Sequence, residues 1–214
     1  MDLEYLIRIS QLLQFISIMG ASCVAIYGIN AWRRELKGKR EIELAEEVLS
    51  LFYEIRELVS YIRSPVGFLG EGETRIKNNG ETVQETTRLN RAFVVYERYE
   101  KVKDKFVKLF SLKYKFMAIF AKTGKPFDDI FKIREEIFLA SKLLGTHYWM
   151  RQEHLSAIKK DEYEKHLKSM EEKEAIFWEG MKDPDPVVIE INRIVSEIEI
   201  VCSKTLKVRY NKVS

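Results

Sequence analysis

Residues 9–32 read ISQLLQFISIMGASCVAIYGINAW, a run from Ile9 to Trp32 that contains no Asp, Glu, Lys or Arg. At helical rise this run is roughly 36 Å long, enough to cross a hydrocarbon core of about 30 Å with some tilt. The reading predicts a single transmembrane anchor over residues 1–32. The rival reading, a buried helix of a soluble fold, needs less length and does not need the abrupt change to charge that follows.

The flanks orient the span. Asp2, Glu4 and Arg8 precede it, whereas Arg33, Arg34, Lys37, Lys39 and Arg40 crowd the other side. Positive charge stays cytoplasmic, so the expectation is an outward N-terminus and a cytoplasmic domain over residues 33–214. Trp32 and Tyr27 suit an interfacial position. A cleaved secretory signal is the other rival, with Gly20-Ala21-Ser22-Cys23 as a lipoprotein-like site. Its leading region would be acidic and its basic cluster would come after the apolar run, an arrangement that reads as an uncleaved anchor.

One stripe of the span is small or polar: Ser10, Gln14, Ser17, Ala21, Val24 and Gly28 recur at spacings of four and three. Small residues allow close helix approach in lipid, and Gln14 or Ser17 offers a hydrogen bond across an interface. Gln14, Ser17, Ala21 and Gly28 are therefore the expected association stripe, with a protein partner's helix or a second copy as its counterpart.

Beyond the basic cluster the pattern becomes helical and amphipathic. Ala45, Val48, Phe52, Ile55, Val59 and Ile62 form one apolar stripe, on a helix expected to continue from the span and stop before Pro65. Gly67, Gly70, Gly72 and Asn78-Asn79-Gly80 mark residues 64–81 as a loop. Thr82 and Glu85 form a capping box for a helix from Val83 to about Lys122, with Ala92, Val95, Tyr99, Val102, Phe106, Leu109, Phe116 and Phe120 inward. Gly124 and Pro126 read as the C-terminal glycine of that helix and the N-terminal proline of the next. Ile130, Ile133, Ile137, Ala140 and Leu144 line the third helix, which can kink at Gly145. Asp161/Lys165 and Glu164/Lys168 support a charged helical stretch. Asp183-Pro184-Asp185-Pro186 is the clearest break, and Val188, Ile191, Val195, Ile198 and Cys202 line a last helix. The expected fold is all-α: a transmembrane helix, then an up-and-down bundle of about four long helices, partly coiled-coil in character.

Composition agrees, because 10 Gly and 4 Pro in 214 residues leave room for long helices. With 36 basic against 33 acidic residues, the net charge of +3 disfavours a nucleic-acid partner. Cys23 and Cys202 supply neither a disulfide framework nor a zinc pattern.

Motifs for chemistry are absent. Gly67 to Gly72 has the outer spacing of a phosphate loop, but Glu73 stands where a lysine is needed. Leu144, Arg151 and Tyr163 occupy the positions three residues before His147, His154 and His166, where a di-iron bundle needs Glu. Neither a cofactor nor a small-molecule substrate is expected. A helical-bundle enzyme remains only if His147 and His154 bind metal.

Residues Lys105–Phe127 contain no acid and combine Lys105, Lys108, Lys113, Lys115, Lys122 and Lys125 with Phe110, Tyr114, Phe116 and Phe120. An antiparallel second helix returns this stretch towards the bilayer. Lys108, Lys113, Lys115, Lys122 and Lys125 are then expected to meet membrane lipid, although the same aromatics also fit a bundle core.

Trp32-Arg33-Arg34-Glu35, Gly38-Lys39-Arg40, Glu43-Leu44-Ala45-Glu46-Glu47, Arg63-Ser64-Pro65, Gly67-Phe68 and Gly70-Glu71-Gly72 resemble an uncharacterised bacterial family of single-pass, membrane-anchored helical proteins. The resemblance implies a bacterial inner membrane and no catalytic residue. The function expected is a membrane-tethered, non-enzymatic interaction or scaffold module. The alternative is an oligomerising membrane effector or regulator in a stress or phage response.

Overall fold

The computed structural model describes the backbone of residues 3–152 and 160–213 and the side chains of residues 10–151 and 160–206. These residues are helical throughout apart from turns and one long loop, with no strand among them. Helix α1 runs Leu3–Arg63, α2 Val83–Phe120 and α3 Lys125–Leu143. A π-helical turn, Leu144–Tyr148, joins α3 to the short α4, Trp149–Gln152. Helices α5, Lys160–Phe177, and α6, Pro186–Val213, complete the chain.

Two compact units result, residues 1–44 and 45–214. In the first, α1 is unbroken because no proline interrupts it, and Gly20, Gly28 and Gly38 pack against nothing. Every side chain from Ser10 to Asn30 is exposed. The helix is long and apolar enough to cross a membrane, and none of its apolar window is covered by the chain itself. A core helix of a soluble fold is mostly covered, and this window is not. Ser17 and Ser22 donate to the carbonyls of Leu13 and Ile18, which satisfies both hydroxyls within the helix.

In the second unit, Ala45, Val48, Phe52, Ile55, Val59 and Ile62 are all buried, as their spacing predicts. Each large one contributes about 1.5–3 kcal/mol by leaving water. Phe52 meets Phe127 edge-on with centroids 5.1 Å apart. Residues 45–63 and α2 run antiparallel: Lys108 Nζ pairs with Glu47 at 3.0 Å, Lys105 with Glu54 at 2.5 Å, and Arg98 reaches the end of α1. Helix α3 packs on α2, α5 and α6. It runs antiparallel to α2, since Lys113 pairs with Asp128 while the Ser141 hydroxyl donates to the Ala92 carbonyl at 2.6 Å. Tyr53 donates to Glu199 at 2.6 Å, placing α6 beside α1.

The bundle changes membership at Arg63. Residues 45–63, α2, α3 and α6 share the part next to Ala45. Past Arg63, α5 packs on the end of α3 and the π-turn instead. Gly145 allows the π-turn to press on α2, because a Cβ there would lie 2.7 Å from that of Ala92. Gly124 is not the left-handed cap of α2. Ala121 takes that conformation, at φ 49°, and Gly124 opens α3 by accepting from the amides of Phe127 and Asp128. Four charged or imidazole side chains that carry no apolar signal are buried: Arg63, Arg98, Asp129 and His166.

Candidate functional site

The loop after α1 is built on Arg98, a residue of α2 that periodicity alone places on no functional surface. The last carbonyls of a helix lack intrahelical donors. Arg98 Nη1 supplies them for Tyr61 at 3.3 Å and Ile62 at 3.4 Å, and also bonds the Ser64 carbonyl at 2.6 Å. Its Nη2 donates to the Val66 carbonyl at 2.8 Å and to Glu71 Oε2 at 2.6 Å, and its Nε donates to Glu71 Oε1 at 3.2 Å. All three guanidinium nitrogens are engaged, in a side chain that is almost wholly buried. The Arg98 guanidinium holds the Glu71 carboxyl below the usual carboxylate range.

A second clamp closes the loop's other end. Arg75 forms a two-pronged pair with Glu81, and Glu81 also accepts from the Asn78 amide at 2.7 Å and the Thr86 hydroxyl at 3.3 Å. Arg75 lowers the Glu81 pKa to about 2. The expected capping interaction is present in one direction: Thr82 Oγ1 accepts from the Glu85 amide at 3.2 Å.

Between the clamps, Glu97 of α2 accepts from the Gly72 amide at 2.7 Å and the Thr74 hydroxyl at 3.0 Å. Burial opposes ionisation of Glu97, but these bonds and Lys101 hold its pKa low. Gly72 has φ +84°, and a Cβ there would lie 2.0 Å from the Asn90 carbonyl oxygen, so only glycine fits.

Connecting loops run over the surface, and binding residues are disproportionately found on loops that a rigid scaffold positions. Here Phe68 is 76% exposed, Ile76 91% and Leu69 fully so, with Val66 and Val83 beside them in sequence also open. The exposed apolar side chains sit on a backbone that ion pairs immobilise. An apolar surface on such a backbone is ordered before anything touches it.

No protein-family model, curated protein or solved structure matches the chain.

The remaining candidate residues fall in separate places. Arg33, Arg34, Lys37, Lys39 and Arg40 are exposed on α1, with Lys37 and Lys39 facing Glu41 and Glu43 one turn on. Gln14, Ala21 and Gly28 are exposed with Ser17. Lys108 and Lys113 are drawn into ion pairs with Glu47 and Asp128, whereas Lys115, Lys122 and Lys125 are exposed. Phe116 is buried in the core and the half-buried Phe120 packs on it, whereas the half-buried Phe110 packs on the exposed Phe131.

His147 is exposed, His166 is buried beside Tyr148, and His154 lies outside the described residues. Among the described residues no group of three His, Cys, Asp or Glu could hold a metal. The phosphate-loop spacing from Gly67 to Gly72 encloses Glu71, whose carboxylate accepts the Phe68 amide at 3.2 Å, so a loop donor is already used.

Proposed function

We propose that this chain is a membrane-tethered, non-enzymatic interaction module. Residues 9–32 anchor it in a bacterial inner membrane with the N-terminus outside, and the helical unit stands in the cytoplasm as a scaffold for a protein partner. The basic residues Arg33 to Arg40 support that orientation. The observation that carries the reading is the exposure of Phe68, Leu69 and Ile76 on a loop held by the Arg98–Glu71 and Arg75–Glu81 pairs. Exposed apolar side chains on a backbone that is already ordered lower the entropy cost of docking a partner.

The test is a photo-crosslinking amino acid in place of Leu69, in the full chain and in its native membranes. A discrete adduct is expected that disappears with Phe68→Asp or Ile76→Asp and is not formed by a probe at Lys103, which is exposed on α2. Identical labelling from positions 69 and 103, or an adduct unchanged by both aspartates, overturns the loop as the docking surface.

A further inference from the structure

We infer that the corner between α2 and α3 is a second membrane contact, made to the headgroups of an anionic bilayer. Lys115, Lys122 and Lys125 are its basic groups, and Tyr114 is its interfacial aromatic. The inference rests on the reading of residues 9–32 as a membrane anchor.

The corner's position comes from the helical unit itself. The Lys108–Glu47 pair and the Phe127–Phe52 contact put the last turns of α2 and the start of α3 at the Ala45 end of this unit rather than at the Arg63 end. Residue 45, where the chain enters this unit, lies at the same end. A tethered site meets its target at a high effective concentration, so weak individual contacts suffice.

The corner's charge is unbalanced. Residues 105–127 contain no acid, and the nearest acid that follows, Asp128, is matched by Lys113 at 2.5 Å. Lys115, Lys122 and Lys125 are exposed, and of the three only Lys125 has acids near it, Asp129 and Glu190, whose pKa values it helps to lower without a direct salt bridge. The left-handed turn at Ala121 ends α2 so that Lys122 and Lys125 lie on either side of the corner. Tyr114 is 74% exposed, with Lys113 over its ring at 5.6 Å. A phenol beside ammonium groups suits the headgroup layer, where the ring meets glycerol and the hydroxyl meets water. Helix α6 also runs towards this end and exposes Lys204 there. A lysine near an anionic leaflet strengthens attachment about fivefold, within a Debye length of the surface.

The experiment uses the full chain in nanodiscs of phosphatidylcholine alone or mixed with phosphatidylglycerol. A fluorescent amino acid replaces Tyr114, and the lipids carry a nitroxide on the headgroup. Incorporation into discs of either composition reads the anchor, and quenching reads the corner, so the two failures are distinct. Quenching is expected to be severalfold stronger in the anionic discs and to fall with added salt. It should be lost with Lys115→Glu/Lys122→Glu/Lys125→Glu at unchanged helicity, while a probe at Leu69 stays unquenched. Conservative Lys→Arg replacements at the three positions should restore it. Equal quenching in both compositions, or quenching that survives the triple glutamate variant, overturns the inference.

Discussion

Arg63 Nη2 donates to Asp185 Oδ2 at 2.8 Å, from a side chain that is completely buried. This pair joins three helix ends. The Arg63 guanidinium also bonds the carbonyls of Ala175 at 2.8 Å, Ile176 at 2.8 Å and Trp178 at 3.2 Å, at the close of α5. The Arg63 carbonyl accepts from the Glu179 amide at 2.9 Å. Two helix C-termini, each with partial negative charge, therefore meet across one cation. Asp185 completes the junction by accepting from the amides of Val187 at 2.9 Å and Val188 at 3.1 Å, which caps α6.

Removing the charge of Asp185 leaves Arg63 buried without its counterion. Breaking a buried pair on one side costs about 3–5 kcal/mol, or about 10 °C in melting temperature for a domain of this size. Asp185→Asn keeps a capping side chain, so the expected loss reflects the charge. Thermal unfolding of the full chain in detergent followed by circular dichroism measures it, and a shift under 2 °C, against the estimate of about 10 °C, contradicts the account.

Gly70 and Gly72 separate strain from collision. Both have positive φ, at +85° and +84°, but an added Cβ meets nothing at Gly70 and the Asn90 carbonyl at Gly72. Gly70→Ala should cost only the left-handed penalty, about 1–2 kcal/mol. Gly72→Ala should cost more and displace the loop, so that crosslinking from Leu69 fails while the helices stay folded. Equal behaviour of the two variants would remove the argument for a fixed loop.

His166 gives the helical unit a mild acid sensitivity. Burial first, then Arg151 and His147, lower its pKa from the ordinary 6.5. The unfolded chain therefore binds this proton more readily than the folded one. The contribution is fully present above pH 6.5 and is lost as pH falls from there through the folded value. His166→Phe should flatten the stability profile below that point. A profile unchanged by the substitution counts against a buried neutral imidazole.

The loop clamps respond at lower pH. Glu81 titrates near 2 rather than at 4.5, so its stabilising contribution is present above 4.5 and is lost as pH falls towards 2. The backbone amide of Asn78, bonded to this carboxylate, should show that low midpoint in an NMR titration. A midpoint near 4.5 would mean that the Arg75 pair is not formed in solution.

Much of the architecture was legible because it is written in local periodicity. The apolar stripe from Ala45 to Ile62, the stop before Pro65 and the loop after it all follow from spacing and from glycine and proline chemistry. The uncharged length of residues 9–32 likewise needs no partner to be recognised. Charged residues behaved differently. Arg63 and Arg98 have ordinary surface chemistry, and nothing in a helical repeat marks them for burial. Their partners are helix-end carbonyls and carboxylates far along the chain, Asp185 for Arg63 and Glu71 for Arg98. A guanidinium leaves water only where several such acceptors converge, and only the packed bundle creates that convergence. The same holds for the lysines of the corner. Sequence determined that residues 105–127 carry positive charge without acids. The tertiary structure decided which of it remains free, because Glu47, Glu54 and Asp128 reach Lys108, Lys105 and Lys113 but leave Lys115, Lys122 and Lys125 facing solvent.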